Sequence, residues 1–307
     1  MTSPRVTESS VRTRTMQGLQ RSLGKTQAAQ DQISSGKQLH RPSDSPTGTV
    51  SALQLRGEVR ANKKYSANAD DAMGRLGTVQ DTLKSVYEQV QRTRTLTLEA
   101  ASAGGGSTPQ ANIARAEEID EIKSLVVQFA NAKYLNRPVF GGSTPDSAAY
   151  GTGGSYTGEV DGETMRTIGP NARVRVDVRG PEVFGAELQA DGTTPNEQQL
   201  FRVLDSLSTA MRTGDADGIQ TGLQNLDKAT ETLNSTLSDV GARYNRVTQM
   251  KQSAEDRLMS VSSQLSDIED VDLPKAIMEL QMQQTSYQAA LAATAKVIQP
   301  SLIDFLR

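Results

Sequence analysis

The residue types that most often carry enzyme chemistry are few in this chain and poorly placed for it. The one histidine, His40, lies beside Arg41 in a proline-flanked turn, where an exposed turn residue is a better interpretation than half of an acid–base pair. The chain contains no cysteine, which excludes thiolate nucleophiles, disulfides and cysteine metal sites. Gly104–Gly106 has neither a preceding strand pattern nor a following Gly-Lys-Ser/Thr, so it is no phosphate loop. We therefore predict no catalytic residue, no cofactor, no metal and no small-molecule substrate.

Adjacent carboxylates are the remaining candidates for acid–base chemistry. Side chains one residue apart diverge on a helix, so such pairs do not converge on a substrate. Solvated helix faces explain them better. The pairs are Asp70-Asp71, Glu117-Glu118 and Glu269-Asp270.

Composition points to protein partners. With 33 basic and 36 acidic residues among 307, the formal net charge of −3 favours neither nucleic acid nor an anionic membrane. The most apolar stretch, Leu280–Leu306, is interrupted by Lys296, Pro300 and Asp304, so no membrane span is predicted. The N-terminus is rich in arginine and has no apolar core, so we expect no cleaved secretory signal. Aromatic residues make up only 4%, which favours thin helical assemblies over thick cores.

Four long segments carry apolar residues spaced alternately by three and four, as in coiled coils. They span about residues 16–33, 52–90, 237–268 and 277–298. The sequence Ser43-Asp44-Ser45-Pro46 predicts a helix start with Ser45 or Asp44 as the cap, and Asp272 with Pro274 predicts another. Lys251 is the one charge in the third seam and is expected to reach solvent or pair. Shorter helices are predicted over residues 110–133 and 196–213.

The composition changes between residues 134 and 195. Val174, Val176 and Val178 alternate with polar residues, which predicts a half-buried strand. Asp161-Gly162 predicts a hairpin turn between Tyr156–Val160 and Glu163–Ile168. We therefore predict a mainly α fold with a small inserted β domain, in which the long helices form an antiparallel rod and the terminal helices are coiled-coil-like. The predicted boundaries are an N-terminal assembly helix (1–42), a first rod part (43–133), the β-rich insert (134–195), a returning rod part (196–271) and a C-terminal assembly helix (272–307).

Several local motifs, in this nested order, resemble the flagellin superfamily over essentially the whole chain. Gln32–Gly48 is similar to the turn after that family's N-terminal helix, and its Arg41 to Pro46 part resembles the hook–filament junction branch more than filament flagellin. Ile168–Gly185 is similar to the β domain of the same branch. The segment Asn131–Arg137 departs from the pattern, with a shortened loop. The remaining motifs are Gln89–Gly104, Val240–Arg246, Tyr156–Gly169 and Leu280–Arg307.

The resemblance implies a structural subunit of the bacterial flagellum and not an enzyme. It implies a ring of copies between the first hook-associated protein and flagellin. It also implies export by the flagellar type III route, with a chaperone holding the C-terminal region, so that the protein is cytoplasmic before export and extracellular afterwards. The alternatives are filament flagellin or a secreted helical adhesin or translocator.

Two groups of apolar residues are predicted to form the structural contacts, one in the assembly of subunits and one in the core of the rod. We predict that the terminal helices lack an obligate partner within the chain and order on assembly; the alternative is that they pack as a stable bundle in one subunit. In the rod, Leu76 and Leu83 are predicted to share a seam with Leu258 and Leu265. The predicted assembly residues are Met16, Leu19, Leu23, Ile33, Ile277, Leu280, Tyr287, Leu291, Ile298, Leu302, Phe305 and Leu306, and the predicted rod core is Leu76, Leu83, Val90, Leu237, Tyr244, Leu258 and Leu265.

Overall fold

The predicted fold class, mainly α with a small β insert, is confirmed by the computed structural model of the chain. The structure describes residues 8–102, 108–144, 148–159, 162–189 and 193–298, with the side chains of 8–12 and 296–298 left out. The elements in these ranges are α1 (Glu8–Ser35), α2 (Pro46–Ser102), α3 (Pro109–Ala130), β1 (Lys133–Tyr134), β2 (Arg137–Pro138), β3 (Met165–Gly169), β4 (Ala172–Arg175), α4 (Gly180–Phe184), α5 (Leu200–Thr213), α6 (Ala216–Glu269) and α7 (Leu273–Ile298).

The chain forms two compact units. Unit 1 comprises Met1–Arg60 and Leu258–Arg307, and unit 2 comprises Ala61–Arg257. Helices α2 and α6 contribute residues to both. The boundaries predicted from the sequence remain predictions, since they concern assembly segments and not compactness.

Within unit 2, α2 and α6 run antiparallel in a register set by polar contacts. Lys251 Nζ lies 2.8 Å from Asp70 Oδ1, which confirms the predicted pairing of this lysine. Ser66 Oγ donates to Glu255 Oε1 at 3.3 Å. Farther along, Arg94 Nε lies 2.8 Å from Asp227 Oδ1. Each step along α2 is matched by an equal step back along α6, so the two helices keep one register through unit 2.

This register contradicts the predicted seam. Gly77 lies opposite the Tyr244 ring, so Leu76 lies at the level of Tyr244 and Leu83 near Leu237. Leu258 and Leu265, the predicted partners, are half-buried residues of unit 1. The prediction was wrong by about three heptads, because a seam that repeats every seven residues looks the same after such a shift. Leu76, Leu83 and Val90 are buried in the unit 2 core, against which Leu237 and Tyr244 pack.

The helix boundaries follow their capping residues. Ser45 Oγ accepts the Gly48 N–H at 3.2 Å, as predicted for the start of α2. Asp44 instead closes the preceding turn by accepting the Arg41 N–H at 2.8 Å and the His40 N–H at 3.1 Å. These two bonds lower the pKa of the Asp44 carboxyl. Of the two predicted capping residues, Ser45 therefore caps α2, and Asp44 stabilises the turn before it.

The predicted hairpin is placed differently in the structure. Strand β3 pairs antiparallel with β4, so a hairpin turn lies at Pro170-Asn171, whereas Asp161 of the predicted turn lies outside the described residues. Proline and asparagine are favoured at the central positions of turns, so Pro170-Asn171 is a turn sequence as well as Asp161-Gly162. The β3–β4 hairpin forms at Pro170-Asn171. The valines behave as predicted, since Val174, Val176 and Val178 are all buried.

Five of the twelve aromatic residues of the chain form one cluster in unit 2, contrary to the expectation of thin helical packing without a thick core. The centroid of the Tyr150 ring lies 5.4 Å from that of Phe184, 5.0 Å from that of Phe201 and 5.2 Å from that of Tyr156. Phe140 packs edge-on against Phe184 at 5.4 Å. Pairs at this separation add to area burial, so five rings anchor the insert to α5.

The alternation that places the valines on the buried face of a strand predicts an outward-facing Asp177, which follows Val176. Asp177 is fully buried, and its Oδ1 accepts the Thr164 N–H at 2.9 Å and lies 3.3 Å from Arg175 Nε. Arg175 in turn donates three hydrogen bonds to Glu182, of 3.0, 3.1 and 3.1 Å. The strand alternation fails here because β4 ends at Arg175, which frees the following residues to turn inward.

We expect Leu76→Ala to destabilise the protein by about 2–5 kcal/mol, because the substitution leaves a cavity at a fully buried position. Urea unfolding followed by circular dichroism measures the cost. Leu98→Ala, at a 41% exposed position of the same helix, is the matched control and should cost well under half as much. Equal costs would mean that the α2 face at Leu76 is not the core face.

We also expect Gly180→Ala to destabilise the insert by about 1–3 kcal/mol through overpacking. A Cβ at this glycine would lie 2.7 Å from Cε2 and Cζ of Tyr150, a ring that the aromatic cluster holds in place. Gly153→Ala is the control, since nothing lies within 4 Å of its Cβ position. Thermal unfolding that is the same for both variants would contradict a rigid Tyr150.

Candidate assembly surface

Helices α1 and α7 pack against each other in unit 1. The end of α1 meets the beginning of α7, because the Val271 N–H donates to the Gly36 carbonyl oxygen at 3.0 Å. The two helices are therefore antiparallel. Asp272 caps α7 as predicted, accepting the Lys275 N–H at 3.2 Å. The prediction that α7 lacks a partner within the chain is wrong, and the alternative of packing within one subunit holds for this pair.

The seam between α1 and α7 consists mostly of small and polar residues. Ala29 and Ala276 are its buried members. Thr26 and Thr294 donate their hydroxyls to carbonyls of their own helices at 3.0 and 2.7 Å, so they bring no hydrogen bond across the seam. Small side chains let the helices approach but bury little apolar area. The half-buried residues are Thr15, Gly18, Leu19, Ser22, Thr26, Gln32 and Ile33 on α1, and Leu280, Gln283, Tyr287, Ala290 and Thr294 on α7.

Large hydrophobic side chains, by contrast, are exposed on unit 1. Of the sixteen such exposed side chains in the described part of the chain, ten belong to unit 1, the smaller of the two units. This departs from the usual arrangement, in which most large apolar residues lie in the seam and polar ones face water. The ten are Met16, Leu23, Val50, Leu53, Met259, Leu273, Ile277, Met278, Met282 and Leu291.

The predicted assembly residues divide into two groups. Leu19, Ile33, Leu280 and Tyr287 are half-buried in the α1–α7 seam. The second group is exposed and contains Met16, Leu23, Ile277 and Leu291, which are 51%, 41%, 46% and 43% exposed. We call these four residues the flank surface. Ile298 ends α7 with no described side chain, and Leu302, Phe305 and Leu306 lie outside the described residues.

The flank surface lies along one side of the helix pair. Met16 and Leu23 are seven residues apart, so they lie on one face of α1, and Ile277 and Leu291 are similarly aligned on α7. At 100° per residue, both sets are rotated about a quarter turn from their seams, and in an antiparallel pair this rotation brings them to the same side. The two helices thus present one shared apolar surface.

Sequence reasoning missed further exposed residues of the same helix. Met278 and Met282 are 62% and 64% exposed and lie on the back of α7, away from its seam. The single apolar stripe predicted on α7 does not include these two methionines. Their spacing of four residues was the available signal.

The turns beside the pair carry a cluster of charges. Lys37 Nζ lies 2.6 Å from Asp270 Oδ1 and 3.5 Å from Glu269 Oε2. The bond to Asp270 is the main cause that raises the pKa of Lys37, and the bond from Lys37 lowers that of Asp270. Arg56 Nε lies 2.6 Å from Glu269 Oε1, although the N–H is not aligned for a hydrogen bond. These groups connect the end of α6 to both α1 and α2.

The described residues offer no arrangement suited to catalysis. His40 Nε2 lies 3.0 Å from Ser35 Oγ at an exposed turn, which agrees with the turn interpretation. In the part of the chain that the structure covers, no group of three His, Asp or Glu side chains could hold a metal ion. None of the helices, within the same described ranges, is both long and apolar enough to cross a bilayer.

Comparisons with known proteins agree with this architecture. The family of the bacterial flagellin N-terminal helical region matches residues 6–140, and that of the bacterial flagellin C-terminal helical region matches residues 223–306. Flagellar hook-associated protein 3 of Escherichia coli is 25% identical over 295 residues, which cover 91% of this chain and 92% of that protein. Flagellin of Bacillus subtilis is 24% identical over 284 residues, covering 89% and 90% of the two chains.

A comparison with solved structures shows that the chain shares its fold with a flagellar protein. The flagellar hook-associated protein from Vibrio parahaemolyticus superposes with a TM-score of 0.64 at 19% identity, over 74% of this chain and all of that one. The two flagellin regions match in their order along the chain and together cover more than half of it. The chain therefore belongs to the flagellin family, as a structural subunit of the bacterial flagellum that resembles the hook-associated branch.

Proposed function

We propose that this subunit forms the junction between the hook and the filament. In this proposal, copies associate with one another in a ring, bind the first hook-associated protein on one side and receive the first flagellin subunits on the other. The near full-length similarity to a hook-associated protein supports the branch, and the Arg41 to Pro46 turn motif favours it over filament flagellin. The assembly segments would be residues 1–42 and 272–307, with the insert at 134–195 outermost.

The flank surface is the observation that carries the proposal. Its four residues are exposed large apolar side chains on helices that already have a partner in the chain. Exposed apolar surface of this kind marks a protein interaction site in soluble proteins. Neighbouring copies would cover it in a ring through head-to-tail contacts, in which the flank surface of each copy meets a different surface of the next.

Assembly would also complete the order of the terminal helices. The α1–α7 seam is thin, so the pair gains little free energy from it, while ordering each residue costs roughly 1–2 kcal/mol of backbone entropy. Contact of the flank surface with neighbouring copies would supply the missing apolar burial. Leu302, Phe305 and Leu306 would extend this contact beyond α7.

Before assembly, the subunit would be held in the cytoplasm by a flagellar export chaperone at its C-terminal region and exported by the type III route. Met278 and Met282 suit such a transient partner, because methionine side chains adapt to differently shaped surfaces. Its final location would be extracellular, at the hook–filament junction.

Filament flagellin is the second candidate function, favoured by the 24% identity to the Bacillus subtilis flagellin over most of both chains. A chromosomal deletion separates the two. Loss of a junction subunit should leave hooks on the cells while flagellin monomers accumulate in the medium. Hooks without filaments and without shed flagellin would instead identify this chain as the filament subunit.

We expect the double substitution Ile277→Ser and Leu291→Ser to abolish motility without unfolding the isolated protein. Both positions are exposed, so the monomer's thermal unfolding should change by no more than about 0.5 kcal/mol per site. Electron microscopy of the cells should show hooks without filaments. The matched control is Gln281→Ser with Gln288→Ser, at exposed polar positions of the same helix, and these cells should swim. Normal filaments on the double variant would remove the flank surface from the assembly interface.

A further inference from the structure

We propose that a small latch holds the α1–α7 pair closed and sets its register. The latch consists of Gly36–Gln38, Arg56 and Glu269–Val271. This inference deepens the proposed function, because the pair that the latch holds is the one that carries the flank surface. Glu269 is its positioning residue.

The backbone of the latch is a single antiparallel bridge between Lys37 and Asp270. The Gln38 N–H donates to the Glu269 carbonyl oxygen at 2.6 Å, and the Val271 N–H donates to the Gly36 carbonyl oxygen at 3.0 Å. Gly36 makes the approach possible, since it ends α1 with a φ of +70°, a conformation that costs glycine little. The bridge thus joins the last turn of α1 to the residues that lead into α7.

The side chains converge on Glu269. Its side chain is only 4% exposed, whereas those of its two cationic neighbours, Lys37 and Arg56, are 45% and 51% exposed. A buried carboxylate that loses its cations is left uncompensated, so Glu269 is stable only while both neighbours stay in place. It therefore ties the end of α6 to the α1 turn through Lys37 and to the start of α2 through Arg56.

The weakness of the α1–α7 seam makes the latch consequential. The helices lie at opposite ends of the sequence, so bringing them together without a tether carries a large loop-closure entropy. A fixed contact at Lys37 and Asp270 converts the pairing into that of a local helical hairpin. It also fixes which residues meet, which a seam of small residues with near-equal heptads specifies poorly. Without the latch, the seam contacts alone would have to hold the two helices together and fix their register.

Hydrogen exchange on the purified full-length protein tests the latch. In Glu269→Gln, exchange of the amides of residues 13–35 and 273–295 should be about threefold to tenfold faster, since those helices open more often. Amides of α5 in unit 2 should exchange as in the unsubstituted protein, which also reports that the variant is folded. Asp267→Asn is the matched control, because it removes one negative charge at an exposed position two residues away. Equal exchange in the two variants would overturn the proposal.

An engineered disulfide gives the opposite perturbation. Lys37 and Asp270 form the non-hydrogen-bonded type of antiparallel pair, whose short Cα separation suits a disulfide, and the chain has no other cysteine. In Lys37→Cys with Asp270→Cys, the oxidised protein should exchange α1 and α7 amides more slowly than the unsubstituted protein, and the reduced protein faster. Identical exchange in the two redox states would show that the bridge does not hold the pair. These measurements use the isolated subunit, so the latch can fail while the junction function stands, and the reverse.

Discussion

The antiparallel register of α2 and α6 is the constraint on which unit 2 depends. Buried aliphatic residues supply most of the free energy of this pairing, but they repeat every seven residues and do not select one alignment. The insert depends on the selected alignment because it bonds to both helices. Asn68 of α2 donates to the Thr167 carbonyl at 2.7 Å, while Thr236 of α6 donates to the Glu182 carbonyl at 3.2 Å. A slip of one heptad would separate these donors from their acceptors, so polar contacts fix what the apolar seam leaves open.

The two units use their large apolar residues in opposite ways. Unit 2 buries them, and its aromatic cluster around Tyr150 joins the insert to α5. In the α1–α7 seam of unit 1 the buried residues are alanines, and the leucine, isoleucine and tyrosine of the seam are only half-buried. Other leucines, isoleucines and methionines of unit 1 are exposed. In our proposal, neighbouring molecules cover this exposed apolar surface.

Much of the fold could be predicted because local signals were strong. The caps at Ser45 and Asp272 and the long heptad seams fix where helices begin and which faces are apolar. The hairpin at Leu135-Asn136 could not be predicted, because both residues have positive φ without a glycine and tertiary packing must impose that conformation. The burial of Asp177 could not be predicted for a similar reason, since its partner Thr164 is brought to it only by the β3–β4 hairpin. For the candidate site, the sequence identified the apolar residues of α1 and α7 but not their division between seam and surface. Both groups follow the same three-and-four spacing, and only the rotation of one helix against the other separates them.

The free energy of burial differs between the residues of the α1–α7 seam and those of the flank surface. Burying a large apolar side chain fully is worth about 1.5–3 kcal/mol, so covering the partly exposed residues of the flank surface would contribute a few kcal/mol for each subunit. That amount is comparable to the total stability of a small domain. The seam of small residues supplies less, and the charges around Glu269 lie at a single end of the helix pair. If neighbouring copies cover the flank surface as we propose, the α1–α7 pair would be held more strongly in the assembly than in the free subunit. The added stability would come from apolar burial that the isolated chain lacks.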